Sequence, residues 1–317
     1  MATALLAGGL ASLALVSIFV GVVPVTPSSL WELTPLQAQI VWASRLPRLA
    51  SILLAGAGLS IAGLIMQQLA RNRFVSPTTA GVMDGARLGA LVAVLLAGSA
   101  SMLQRIAIAF LFALGAALAF MAIVRRVRLR DPIFIPLVGL MFGNVINAAA
   151  TFIAYRHNLL QTLVAWLHGD FSTVLRGRYE LLYLVVPLVA LAYAYAYRFT
   201  IAGMGDEAAT SLGIDYQRVV HVGLAIVASV SAVVVLTVGS LPFLGLIVPN
   251  LVSLYRGDHM RNALLDTALL GALLVLICDV IGRVVVFPYE VSVGLVMGIL
   301  GSAAFLVLLV RSRYRAG

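Results

Sequence analysis

Gly203-Met-Gly-Asp-Glu-Ala-Ala-Thr-Ser-Leu-Gly213 is a polar, glycine-punctuated stretch between two apolar runs, 179–197 and 219–239, each long enough to cross a bilayer. A second polar turn, Tyr255-Arg-Gly-Asp-His-Met-Arg261, follows one further hairpin. Gly203, Gly205 and Gly213 permit sharp turns around a short helix. Asp206 and Glu207 near that helix's start favour its positive end. In so apolar a chain, this pattern predicts a surface on which another protein acts on the membrane part, or else an ordinary amphipathic loop.

Working outward, the composition sets the class. Of 317 residues, 62% are hydrophobic and 10% are charged, against about 25% charged in a soluble domain. So few charges cannot cover a soluble surface of this size, and the chain reads as an all-α integral membrane protein. The apolar runs are continuous rather than alternating, which excludes a β-barrel. Windows of roughly 20 residues predict about ten spans: 4–23, 47–69, 80–98, 104–124, 133–155, 179–197, 219–239, 243–255, 262–284 and 291–310. The eighth is too short for a full crossing and is expected to begin inside the protein. The third and fourth are close enough to form a tight hairpin. Residues 4–23 lack a basic n-region and a small-residue cleavage site, so they read as a retained first span. The whole of 1–317 is one transmembrane domain, with no soluble module.

All 21 basic residues are arginine. With ten spans and both termini in the cytoplasm, 13 arginines fall on the inner side and seven on the outer, with Arg87 inside the third span. That split favours this topology under the positive-inside rule. The net charge of +9 is therefore mainly a topology signal, and scattered arginines with no basic module argue against nucleic acid.

Absent chemistry narrows the function. A chain without lysine has no phosphate-binding loop of the usual kind. The single Cys278 excludes an internal disulfide and a CxxC metal site. His157, His168, His221 and His259 are scattered and read as loop or interfacial side chains. No catalytic residue, metal ligand or enzyme activity is expected. Asp279 and Arg283, four apart, can pair on one helix face as a structural bridge. Asp84 and Arg87 open the third span near the inner interface, where water is expected to reach them. Asn144, Asn147 and Thr151 form one stripe on the fifth span, open to two readings: lining of a path, or interhelical hydrogen bonding. Gly139 and Gly143 on that helix let a neighbour approach closely. Gly294, Gly298 and Gly301 read as packing positions on the last span. Arg45 and Arg48, three apart, are expected to share a face before the second span, with Arg283 on the same side of the membrane.

The motifs carry a resemblance over nearly the whole chain. They are Arg45-Leu-Pro-Arg48, Ala55-Gly-Ala-Gly-Leu-Ser-Ile-Ala-Gly63 running to Gln67-Gln68, Arg71-Asn-Arg-Phe-Val-Ser-Pro77 and Gly81-Val-Met-Asp-Gly-Ala86. Trp166-Leu-His-Gly-Asp-Phe171, Glu207-Ala-Ala209, Ser211-Leu-Gly213, Gly239-Ser-Leu-Pro-Phe-Leu-Gly-Leu-Ile-Val-Pro249 and Tyr255-Arg-Gly-Asp-His259 follow. In this order and spacing the chain resembles the iron-siderophore and cobalamin permeases of bacterial binding-protein-dependent ABC importers. The segments Asn72–Gly81 and Met83–Gly89 depart from the Asn-Pro-Leu common in that family. They look more like the branch handling ferric catecholate-type siderophores, petrobactin and anguibactin among them.

The resemblance implies a type II ABC importer permease in the bacterial cytoplasmic (inner) membrane, half of a pore completed by a sister permease or an identical copy. It implies that two separate ATPase subunits use ATP and magnesium, and that this chain binds no cofactor. The segment 199–218, with Gly205, Asp206, Glu207, Ala208, Ala209 and Gly213, would couple the spans to those subunits. Arg45, Arg48 and Arg283 would receive glutamates of a periplasmic or lipid-anchored substrate-binding protein, because the planar guanidinium grips a carboxylate with two hydrogen bonds. Anchoring of helix ends is the plainer reading of those arginines. Cobalamin or haem is the alternative cargo, and a secondary transporter the alternative class.

Overall fold

A computed structural model describes residues 2–26, 34–96, 101–126, 134–177, 179–257 and 259–314, with the side chains of 308–314 excepted. Arg128, Arg130, Arg178 and Arg315 lie outside the described residues.

The described chain is helical throughout and holds no strand. Helix α1 spans Ala2–Phe19. Helix α2, Pro35–Ile40, starts at a capping box in which Thr34 and Gln37 satisfy each other's backbone donors. It runs through a π turn, Val41–Arg45, into α3, Leu46–Leu69. Then come α4 (Val82–Leu96), α5 (Met102–Arg126), α6 (Phe134–Arg156) and α7 (Leu160–Leu167). A 3-10 turn, Glu180–Leu184, leads into α8, Val185–Ala194, and the chain bends by 58° into α9, Ala196–Met204. Helices α10 (Asp206–Ser211), α11 (Tyr216–Val238), α12 (Leu244–Arg256), α13 (Met260–Val284) and α14 (Val293–Tyr314) complete the order.

Every expected span coincides with a helix or with the bent pair α8–α9. Among the described residues six helices are long and apolar enough to cross a membrane, or seven if the bent pair is one span. Helix α12 has 13 residues, about 20 Å of rise, well short of a bilayer core of about 30 Å. Its first six residues, Leu244–Pro249, are all buried, so it begins inside the protein as the sequence suggests.

Burial ranks the helices. In the apolar stretches of the Pro35–Leu69 rod and of α11, 72% of residues are buried, against 6% in α1 and 22% in α6. The rod and α11 therefore form the centre, while α1 and α6 lie at the rim. Small residues allow this density. Gly63 packs against the Gly245 carbonyl, and a methyl on Gly56 would stand 2.8 Å from the Ala272 backbone, so α3 touches α12 and α13 almost backbone to backbone. The α4–α5 hairpin closes the same way, with Gly85 and Gly89 against Ala113 and Ala109.

One expectation is corrected. Arg87 and Asp84 do pair, at 2.7 Å, but they are not open to water: their side chains are 10% and 14% exposed. Helix α6 covers them, with Gly143 against Asp84 Oδ2.

Polar contacts sort the molecule into two ends. One joins Thr3, Arg256 and Asp266. The other joins Ser17, Arg45, Arg48, Asp279, Arg283 and Glu290. Arg256 falls at the first end, and Arg45, Arg48 and Arg283 at the second.

Candidate functional site

At the first end, the segment singled out in the sequence is a compact turn. Helix α9 stops at Gly205, whose φ of 120° and ψ of 170° belong to a region essentially reserved for glycine. Helix α10 opens with Asp206 and Glu207, which place carboxylates at its positive end. It closes in a Schellman motif: Ile214 N donates to the Ala209 carbonyl at 2.9 Å and Gly213 N to that of Thr210 at 3.0 Å. Gly213 has φ +73°, as that motif requires. Asp215 then caps α11, accepting from Arg218 N at 3.0 Å.

The turn has a buried and an exposed side. Ala209 is wholly buried, Ala208 is half-buried, and Asp206 and Glu207 face outward. Glu207 has no hydrogen bond or ion pair to another described residue. Sequence reasoning missed two neighbours, Met204 and Leu212, which are 67% and 59% exposed. Together they make an acidic pair flanked by two apolar side chains, a surface suited to a partner protein.

The turn rests on a base that the sequence quotes but does not explain. Gly203 packs on Gln68 Oε1, and a methyl at Gly205 would stand 2.5 Å from Arg71 Nη1. A cavity of about 420 Å³ runs behind, lined by Gln67, Gln68, Arg71, Thr200, Ser253 and His259 among others. Gln67 donates to the Leu246 carbonyl at 3.2 Å, and Met260 N donates to Thr200 Oγ1 at 3.2 Å. Helix α9 and the turn thereby rest on α3 and α13, and α3 on α12.

At the other end, the three arginines expected on an outer face are largely turned inward. Arg45 donates to the carbonyls of Ile18 and Val23, and Arg283 to those of Ser17 and Val20, the latter two at 2.9 Å. The last carbonyls of a helix have no partner within it and carry partial negative charge. Helix α1 has no basic residue in its last turn; Arg45 and Arg283 supply that charge from elsewhere. Arg48 has different partners from Arg45. It bonds Asp279 Oδ1 through Nε and Nη2 at 2.9 and 2.7 Å, and Glu290 through Nη1 at 2.7 Å. Asp279 also pairs with Arg283 at 2.5 Å, the bridge the sequence predicts, and is wholly buried.

On α6, Asn144 and Thr151 are exposed and Asn147 is half-buried. Among the described residues, Thr151 bonds only the Asn147 carbonyl of its own helix, at 2.8 Å. The packed face of α6 is the other one: Gly139 sits on the Thr79 carbonyl and Gly143 on Asp84, with Ala150 and Ala154 buried. The polar stripe thus faces away from the body of the chain. Gly294 and Gly301 are packing positions, against Gly169 and Phe243, whereas Gly298 has only Pro242 near, at 3.9 Å. Among the described residues no three His, Cys, Asp or Glu side chains gather as metal ligands would.

Comparison with known proteins agrees with this geometry. A family model described as the FecCD transport family matches residues 9–311. The chain is 55% identical to the petrobactin import system permease protein YclN of Bacillus subtilis, covering 95% of each chain. It is 46% identical to the ferric-anguibactin transport system permease protein FatD of Vibrio anguillarum, over 89% of this chain and 91% of that one. A solved metal-chelate type ABC transporter in an inward-facing conformation shares the fold, with TM-score 0.83 and 23% identity over 98% of both chains. The chain belongs to the FecCD transport family.

Proposed function

We propose that this chain is the permease subunit of a binding-protein-dependent ABC importer that carries a ferric siderophore across the bacterial cytoplasmic membrane. The observation that carries the proposal is the Gly205–Gly213 turn, a rigidly based acidic and apolar knob on a chain that has no lysine to build a nucleotide loop. The relatives named for petrobactin and anguibactin import support the cargo class.

In this reading the single domain 1–317 crosses the membrane ten times, with both termini and residues 199–218 in the cytoplasm, as the arginine split supports. Two ATPase subunits bind ATP and magnesium, and this chain binds no cofactor and hydrolyses nothing. Their dimer closes and opens, and the knob formed by Gly205, Asp206, Glu207, Ala208, Ala209 and Gly213 passes the motion to α9, α11 and α3. A second permease, sister or identical, faces the exposed stripe of Asn144, Asn147 and Thr151, and the cargo passes between the two.

Docking of the binding protein is proposed at the end that holds Arg45, Arg48 and Arg283. Arg45 and Arg283 fix the end of α1. Arg48 meets an incoming carboxylate by exchanging Glu290, which is 32% exposed and the easier of its two partners to displace.

Uptake tests the cargo. Cells lacking the chain should regain import of radioiron bound to a catecholate siderophore when the chain is restored with its partners. Restored uptake of cobalamin or haem, with no uptake of the ferric siderophore, would reassign the cargo.

A further inference from the structure

Two hollows lie along the same three elements and are taken together as one cleft. The first, about 700 Å³, opens where α5 begins and α11 ends. Charged groups of both signs line it, Arg105 in the first turn of α5, Asp170 after α7 and Glu180 at the start of the 3-10 turn, together with the His168 imidazole. The second, about 300 Å³, has an apolar lining that includes Ile106, Phe110, Leu184, Pro187 and Val233.

The same three elements build both hollows. On α5, Arg105 lines the first, and Ile106 and Phe110 the second. On the Glu180–Ala194 stretch, Glu180 is followed by Leu184 and Pro187. On α11, which runs the other way, Val238 is preceded by Val233. A helical turn rises about 5 Å, so the apolar groove lies a turn or two deeper in the membrane than the charged mouth. Leu103 and Leu184 at its edge are 58% and 39% exposed, so the groove opens on the side of the helix bundle.

We propose that this cleft binds one phospholipid with a zwitterionic, ammonium-bearing headgroup, phosphoethanolamine being the simplest. Arg105 and His168 supply donors for the phosphate. Asp170 and Glu180 supply acceptors for the ammonium. Glu180 accepts one bond from the chain, from Gly177 N at 2.6 Å, and Asp170 is oriented by Ser172 N and Oγ at 2.8 and 2.9 Å. A carboxylate has room for further donors. An anionic headgroup would meet two carboxylates with no cation to offer them. A choline headgroup has no N–H to donate. An acyl chain gains little hydrophobic free energy by leaving lipid for a protein groove, so the groove orients the lipid and the mouth selects it. The cleft lies at the opposite end of the chain from the Gly205–Gly213 turn, and the proposal does not depend on the cargo.

Native mass spectrometry tests it. The full chain, purified in detergent, is incubated with equal amounts of phosphatidylethanolamine, phosphatidylcholine and phosphatidylglycerol of matched acyl chains and then stripped stepwise. The last lipid retained should be phosphatidylethanolamine, enriched about three- to fivefold over phosphatidylcholine, as one partly screened ion pair would give. Glu180→Gln, at an exposed position, should abolish that preference. Ala107→Trp, filling the groove, should lower retention of all three lipids. Equal retention in the wild type, a preference for phosphatidylglycerol, or a preference unmoved by Glu180→Gln would overturn the proposal.

Discussion

Gly205 lies against the guanidinium of Arg71, so close that a methyl on its α-carbon would stand 2.5 Å from Nη1. Two constraints meet here, and their sizes differ. The clash involves the far end of a flexible side chain, which can move aside. The backbone conformation, φ 120°, costs a non-glycine residue about 1–3 kcal/mol wherever the side chains go. Gly205→Ala should therefore lower stability by about that amount and weaken stimulation of the ATPase by loaded binding protein. Adding Arg71→Ala should not rescue it. Thermal unfolding and ATPase assays on the assembled complex check both points.

The exposed side of the same turn gives a second expectation. Glu207→Arg should weaken association with the ATPase subunit, since a like charge placed at a complementary interface is penalised. Leu212→Asp should do the same by removing an apolar contact, while Thr210→Ser changes little. Pull-down of the ATPase subunit at physiological salt measures each. Full association and transport in Glu207→Arg would remove this residue from the interface.

Asp279 balances two guanidiniums while wholly buried. Removing one partner of a buried ion pair leaves the other uncompensated, at about 3–5 kcal/mol. Asp279→Asn should therefore destabilise the chain by that order and loosen α1, whose last carbonyls depend on Arg283. Arg283→Leu placed with Asp279→Asn should recover none of the loss, because the carbonyls of Ser17 and Val20 then lose their donor. Unfolding of the purified protein in a detergent series reads the difference.

Glu290 and an incoming carboxylate compete for Arg48. Glu290→Gln should therefore tighten docking of loaded binding protein, and Arg48→Ala should weaken it. Both effects should shrink as salt rises. Docking that is unchanged in both variants would move the contact away from this end's arginines.

The stripe on α6 offers a fifth check. Cysteines at Asn144 and Thr151 should react with a hydrophilic thiol reagent in the assembled transporter, whereas one at buried Ala150 should not. Equal protection at all three positions would mean that the stripe is packed rather than open.

Much of the fold is legible in the sequence, because helix positions follow from apolar run length and local capping. The early start of α12 and the α4–α5 hairpin are local as well. The turn after Gly205 is legible for the same reason: glycine, acid and cap lie within a few residues of one another. The arginines behave differently. Arg48 and Asp279 are 231 residues apart in sequence, and no spacing rule shows that Arg45 and Arg283 cap α1 from elsewhere. Asp84 and Arg87 pair at helical spacing, but Asp84 is packed against Gly143 of α6, a separate element. Met204 and Leu212 look like ordinary apolar residues until the turn exposes them.

The sharpest measurement is ATP dependence in proteoliposomes. The chain is reconstituted with and without its ATPase subunits and partner permease, with loaded binding protein outside and ATP inside. Entry of the ferric siderophore should require all of these components and should stop when ATP is withheld. Entry through the chain alone, driven by an ion gradient, would contradict the idea that its motion comes from an attached motor.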